Sequence, residues 1–400
     1  MLLKNGKIVL ENEIIEGYLE IENKRIKAIK AGDTSKLGID LKGNWILPGF
    51  IDVHVHGGYG VDFETGDQSR FQIFAENVGQ EGITKYLQAS VTNSLEANDH
   101  YYSEFGNFMT NQELTNNLTQ AKCLGAHLEG PFIDPSRKGA HEEKLLKKPD
   151  IALLKRWNDL ANHKIKMVTY AADFQDGSFT QYLVNENIIP SIGHTNMTAK
   201  DFERDWALGA KHITHLFNGM SGVDQHRPGL AVAGLIHDDV LVEVIADGIH
   251  LQPEILRLIY KMKGPQKIAI ITDAMNAKGL PDGDYLLGQL PVVKTGMKVA
   301  LKSSGSLAGA GATFDHNVRT FYNTIKMPMT DLVKMTSLNV AKELKIDDQT
   351  GSIAENKLAD LVIMDPNLEV QMTVAEGGVI YEKLESNAKN VYMNQAISNG

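Results

Sequence analysis

The sequence predicts an α/β protein: a (β/α)8 barrel of the TIM type, accompanied by a small β-module built from both ends of the chain. Three observations predict it. The middle of the chain alternates short apolar runs with longer amphipathic stretches, the pattern of βα units and a parallel sheet. Eight such runs can be counted, and eight is the number that a closed barrel needs. The two ends read differently, as short alternating strands broken by turn signals.

The eight runs are FIDVHVH near Ile51, ITKYLQAS near Tyr86, AKCLGAHLE near Gly125, IKMVTYAA near Val168, IIPSIGH near Ile189, KHITHLF near Ile213, LVEVIAD near Val244 and KIAIITDA near Ile270. Before them, residues 1–47 carry turn signals at Asn5-Gly6 and Asn23-Lys24. After them, VIMDPNLEV and GVIYEKL are separated by Pro366 and Gly377-Gly378. The expected division is 1–47 with 364–400 as the β-module and 48–363 as the barrel. Asp284 to Lys302 reads as a β-hairpin inserted after the eighth run.

Composition narrows the class. The chain has 400 residues, 42% of them apolar and 22% charged, which suits a soluble globular protein with a large core. A net charge of −10 with no basic stripe argues against nucleic acid, and it also means that an anionic ligand must be held by a local site. No apolar run is long enough to span a bilayer, and Lys4 and Lys7 interrupt the first apolar stretch, so neither membrane nor secretion is expected. The single cysteine, Cys123, has no internal partner and sits in an apolar run; it reads as a core residue in a reducing cytoplasm.

The chemistry falls at the ends of the runs. His54 and His56 end the first, Glu129 the third, His194 the fifth, His215 the sixth and Asp273 the eighth. Barrel active sites lie at the carboxyl ends of the strands, so these side chains converge on one mouth. In His54-Val55-His56 the period of two puts both imidazoles on one strand face. Together the six offer a His and carboxylate set for one or two first-row divalent ions such as Zn²⁺ or Fe²⁺, with one carboxylate shared. A metal there lowers the pKa of a bound water and polarises a carbonyl. Asp273 can take the attacking water's proton and pass it to a leaving nitrogen. HLFNGMSGVDQHRPG offers phosphate contacts through Asn218, Gly219 and Arg227. His127 reads either as a residue behind the site or as core. His100, His163, His212, His237 and His316 read as ordinary surface or core residues.

These residues carry a resemblance. PGFIDVHVHGGYG, HLEGPFIDPSRKGAHE, GHT, THLFNGM, DGIH, TDAM and SLAGA occur in the order found in N-acetylglucosamine-6-phosphate deacetylases, over nearly the whole chain. GSIAENKLADLVIMD is similar to the end of many amidohydrolase barrels. The resemblance implies a barrel with a β-sandwich from both termini, and a homodimer. It implies that Glu129, His194 and His215 hold one metal, and that His54 and His56 with Glu129 and Asp273 hold a second. Asp273 would be the acid/base and His250 the group that polarises the acetyl carbonyl. His141, Asn218, Gly219 and the backbone near Leu307 would line the sugar phosphate site. One departure stands out: the family's arginine two places before Pro-Gly is His226 here, with Arg227 beside the proline. The phosphate contact then falls to Arg227 or to His226.

The expected reaction is hydrolysis of N-acetylglucosamine 6-phosphate to acetate and glucosamine 6-phosphate. The alternatives are the N-acetylgalactosamine 6-phosphate epimer and another amidohydrolase activity. The cyclic-amide enzymes use a bridging lysine on the fourth strand, and IKMVTYAAD ends without one. A catalytically silent sugar-phosphate-binding barrel would have lost Asp273 or a metal ligand, and none is missing.

Overall fold

The computed structural model describes residues 1–115, 117 and 119–383; the part of the expected terminal module at 384–400 lies outside the described residues. All eight apolar runs are parallel barrel strands: β1 Phe50–Val55, β2 Ile83–Ala89, β3 Lys122–Glu129, β4 Ile165–Tyr170, β5 Ile189–Ile192, β6 His212–Ile213, β7 Leu241–Ile245 and β8 Ile268–Ile271. They pair in sequence order, each with the next. The ring closes through a single parallel bridge, Val55 to Ala274. Each strand is followed by a helix, from Gln68–Asn77 after β1 to Phe314–Ile325 after β8.

The strands are apolar because both of their faces are covered, as parallel sheets require. Their outer faces pack on the helices in one large core that includes Phe63, Phe71, Phe74, Trp157 and Phe179. Inside the barrel an apolar layer of Ile51, Val53, Leu87, Met167, Ile245 and Ile271 packs with Val340 and Ala341 of the helix Asn339–Glu343. The interior also holds polar groups bonded to one another. Thr214 Oγ1 is 2.7 Å from Thr169 Oγ1 and 2.5 Å from Ser191 Oγ. His127 lies between the Val53 carbonyl (3.0 Å) and Thr169 Oγ1 (2.7 Å). Cys123 is buried, and burial pushes its thiol up to about 12.

Strands from both ends of the chain form one separate eight-stranded sheet. Trp45–Pro48 joins its halves, pairing with Leu2–Val9 on one side and Leu361–Met364 on the other. Asn23-Lys24 is the hairpin turn between Ile14–Glu22 and Arg25–Ala31, with φ of 50° and 70°. Asn5-Gly6 is not a turn. Asn5 has φ 56°, but the chain continues as one strand with a register shift between Leu3 and Gly6, so the left-handed residue makes a bulge. The insertion after β8 has three antiparallel strands rather than two: Gly283–Leu287, Leu290–Thr295 and Lys298–Leu301. A second turn at Gly296 (φ 59°) adds the third strand.

The chain leaving β8 is anchored by a buried ion pair. Lys278 Nζ is 2.8 Å from Glu81 Oε1, and both side chains are almost fully buried. Glu81 also accepts from Tyr59 Oη and from the Phe314 amide (2.7 Å). Breaking such a pair from one side leaves an uncompensated buried charge. Lys278→Met is therefore expected to cost about 3–5 kcal/mol in urea unfolding, with most of the loss recovered when Glu81→Gln is added.

Candidate metal centre and active site

The strand ends bring all six candidate ligands together. Glu129 closes β3 with its carboxylate buried at the centre of the cluster. His215 Nε2 is 3.1 Å and His194 Nε2 3.3 Å from Glu129 Oε1. His56 Nε2 is 3.2 Å from Glu129 Oε2 and 3.1 Å from Asp273 Oδ1, while His54 Nε2 lies 3.4 Å and 3.7 Å from the same two carboxylates. His194 and His215 face each other at 3.0 Å between Nε2 atoms, and His54 and His56 at 3.3 Å.

The partners behind the rings decide what those contacts mean. His194 Nδ1 meets the Arg137 carbonyl at 2.8 Å, and His215 Nδ1 meets the Asn218 carbonyl at 3.1 Å. His54 Nδ1 meets the Glu243 carboxylate at 2.9 Å. Carbonyls and carboxylates only accept, so each Nδ1 donates its proton. Wherever such a ring carries only that one proton, its Nε2 lone pair points at the neighbouring Nε2 atoms and at Glu129. Electron pairs converging at this distance repel unless positive charge lies among them. Among the described residues His56 Nδ1 has no hydrogen-bond partner, so its tautomer is free to follow the cluster. These donors fit divalent metal: imidazole nitrogens and carboxylate oxygens in mutual reach, backed by acceptors that orient them.

The electrostatics carry the same sign. Burial opposes charge on His56, but Asp273 and Glu129 outweigh it and raise the ring to about 9. Burial likewise opposes charge on His54, and Glu129 and Glu243 raise it well above the usual range. Burial would raise Glu129, yet the surrounding histidines hold its carboxyl far below the usual range. Asp273 is held down in the same way by His56 and His54. Three of the six residues sit in the left-handed region, His194 at φ 47°, His215 at 26° and Asp273 at 51°. Main-chain bonds hold Asp273 there: its amide donates to the His54 carbonyl at 2.9 Å, and its carbonyl accepts from Ala310 at 2.7 Å. Backbone strain of this kind persists where the surroundings over-determine it, commonly at functional sites.

A pocket opens over the cluster, lined by His141, Asn218, Gly219, His250 and Leu307 as expected, and also by Val91, Ala140 and Leu287. Thr92 donates to His141 Nδ1 from its amide (3.3 Å), with its hydroxyl at 2.7 Å, which leaves the proton on Nε2, 3.7 Å from Glu129 Oε2. Burial keeps His141 neutral, lowering it to about 4. His250 donates from Nδ1 to Asp247 at 2.7 Å, and this anion overcomes burial to raise the ring. Gly219 (φ 57°) is required, because a Cβ there would stand 2.8 Å from His194 Nδ1.

The structure does not bring His226 and Arg227 to this pocket. Both are exposed, their amides bond to Asp224, and the Arg227 guanidinium donates to the Asn196 carbonyl at 2.8 Å. His127 is a bonded core residue, driven down to about 3 by burial and by His54. Sequence reasoning missed Glu243, Asp247 and Thr92. For Glu243 a signal existed, a charged residue in the middle of the apolar run LVEVIAD.

The site can activate water beside a carbonyl in a pocket lined by oriented polar groups, which is the chemistry of a metal-assisted hydrolase. The sequence pattern of the amidohydrolase family matches residues 45–397. The chain belongs to the amidohydrolase family. It is 36% identical to an N-acetylglucosamine-6-phosphate deacetylase of Bacillus subtilis strain 168, over 96% of this chain and 98% of that protein. It is 31% identical to an N-acetylgalactosamine-6-phosphate deacetylase of Escherichia coli O157:H7, over 83% and 86%. The crystal structure of the N-acetylglucosamine-6-phosphate deacetylase of Thermotoga maritima superposes with a TM-score of 0.86 at 32% identity, covering 96% of this chain and 100% of that one. A mutant of the Mycobacterium smegmatis enzyme, in complex with N-acetyl-D-glucosamine-6-phosphate, gives 0.89 at 29% identity, covering 95% and 99%.

Glu129 touches all four candidate ligand histidines, so its neutral amide analogue tests the centre. Glu129→Gln is expected to lower divalent-metal affinity by about 100-fold or more, given that even outer partners cost about 10–100-fold. Plasma mass spectrometry of the dialysed variant checks this, and full metal content would contradict the shared-ligand role.

Proposed function

We propose that the protein hydrolyses the acetamide of N-acetylglucosamine 6-phosphate, giving acetate and glucosamine 6-phosphate. The observation that carries this reading is the centre of four histidines, Glu129 and Asp273 beneath a pocket lined by His141, Asn218 and His250. The relatives that share the chain's full length support the same substrate. Residues 48–363 would be the catalytic unit, with 1–47 and, among the described residues of the end, 364–383 as its β-module. A buried lone cysteine is consistent with a reducing cytoplasm.

His54, His56, Glu129, His194, His215 and Asp273 would hold one or two divalent ions, zinc or iron by donor type. Bound there, the metal supplies a water of lowered pKa and Lewis acidity toward the carbonyl. Asp273 is ionised and so able to act as base: it takes the water's proton as the carbon–oxygen bond forms. It returns that proton to nitrogen as the carbon–nitrogen bond breaks. His250, charged through Asp247, donates from Nε2 to the carbonyl oxygen as negative charge builds there. His141 donates from Nε2 to the substrate, and Gly219 lets the ligand approach the main chain. The phosphate contact would come from the His226–Arg227 loop of a second subunit in a homodimer, since this chain's own loop stands outside its pocket.

Acetate release from N-acetylglucosamine 6-phosphate, its galacto epimer and unphosphorylated N-acetylglucosamine tests the assignment. Preference for the first is expected. The Escherichia coli relative makes the galacto epimer the second reading, and its preferential turnover would establish that reading instead. Turnover of none would exclude both. Asp273→Asn is expected to lose about 10²–10⁴-fold in kcat, and near wild-type kcat would contradict the acid/base role. His250 is raised by its anion, so its charged form is present at low pH and is lost as pH rises through the raised pKa. Asp247→Asn removes that anion, and the alkaline limb of the kcat–pH profile is expected to move to lower pH.

A further inference from the structure

Behind the metal centre a line of alternating carboxylates and imidazoles runs through the barrel. Glu343 Oε2 lies 2.7 Å from His212 Nδ1, His212 Nε2 lies 3.1 Å from Glu243 Oε1, and Glu243 Oε2 lies 2.9 Å from His54 Nδ1. His212 opens β6 and Glu343 ends the helix Asn339–Glu343, so the line starts at the barrel's N-terminal mouth; His54 brings it to the metal centre at the other end. His54, His212 and Glu243 have no side-chain exposure, while Glu343 keeps 17%. The Glu343 end borders a surface cavity that Lys166, Lys211 and Lys345 also line.

An isolated carboxylate as deep as Glu243 would take up a proton. Here it accepts three hydrogen bonds: from His54, from His212, and from the His215 amide at 3.0 Å. His212 faces a carboxylate at each nitrogen, so both nitrogens donate and the ring is a cation. Burial opposes this charge, and Glu343 and Glu243 override it, raising the ring to about 10. With its Oε2 accepting from the His215 amide and its Oε1 facing His212, Glu243 accepts from His54 and keeps a proton on Nδ1, so that a metal which displaces any second proton meets the lone pair on Nε2.

We propose that Glu343, His212 and Glu243 act together as positioning residues that lock the tautomer and orientation of His54, so that its Nε2 lone pair is committed to the metal. The proposal rests on the reading of His54 and His56 as metal ligands. It assigns a role to two buried groups, His212 and Glu243, and the half-buried Glu343, all of which the catalytic scheme leaves unused, and it treats His212 as part of the active-site support rather than as an ordinary core residue.

The test is a Zn²⁺ titration of chelator-stripped protein against a competing fluorescent chelator, with ¹⁵N shifts of labelled histidine reporting the His54 tautomer. Glu243→Gln is expected to weaken the ion at His54 by about 10–100-fold and to mix the two His54 tautomers. Glu343→Gln, at the partly exposed end, is expected to act in the same direction by several-fold, and it decides the matter if Glu243→Gln fails to fold. Unchanged Zn²⁺ affinity and a single His54 tautomer in the folded variants would overturn the proposal. A wild-type protein whose Zn²⁺ binding is indifferent to His54→Asn would overturn the ligand reading beneath it, an outcome distinct from the first.

Discussion

The Glu129 carboxylate lies almost fully buried among four histidines, and three of those rings have their Nδ1 protons committed to carbonyls or to another carboxylate. This leaves the Nε2 atoms converging on a small buried volume. Such an arrangement is stable only with positive charge at its centre, whether from protons shared among the rings or from a cation. The barrel supplies the convergence, because strands tilted around one axis bring their carboxyl ends to a common mouth. The helices and the terminal sheet bury the strands that hold those ends in place.

Supporting structure deepens as one moves away from the cluster. Directly behind it are acceptors that fix single rings: Arg137 and Asn218 through their carbonyls, Glu243 and Asp247 through their carboxylates. Behind Glu243 comes His212, which holds it in turn, while Thr92 fixes His141 and the Lys278–Glu81 pair anchors the chain after β8. His194, His215 and Asp273 accept unfavourable left-handed backbone because this surrounding frame leaves them no other conformation. The same frame makes the pocket rigid on the metal side. Its opposite wall is formed by Val91, Ala140 and Leu287, the last from the insertion after β8.

The barrel and the clustering of the six candidate ligands were legible in the sequence for one reason. An apolar strand that ends in His, Glu or Asp has no packing explanation, and the eight runs marked every barrel strand. What was not legible depends on distances between elements remote in sequence. Glu243 meets His54 across 189 residues, and Glu343 meets His212 across 131. Thr92 and His141 pair across 49. No local period encodes such contacts. The third strand of the insertion escaped notice because its turn at Gly296 lies inside what read as one arm of a hairpin. Asn5-Gly6 has turn chemistry, and the structure uses it for a bulge. The His226–Arg227 loop has the donors that a phosphate wants, yet its own chain leaves them exposed and away from the pocket.

The most direct test of the account removes the positive charge that the cluster is built to hold. Turnover of N-acetylglucosamine 6-phosphate would be followed as a chelator strips the protein, then as Zn²⁺ or Fe²⁺ is restored, with folding monitored by circular dichroism. The account predicts that acetate release disappears with the metal while the fold persists, and that it returns on reconstitution. Undiminished turnover by folded, metal-free protein would contradict it.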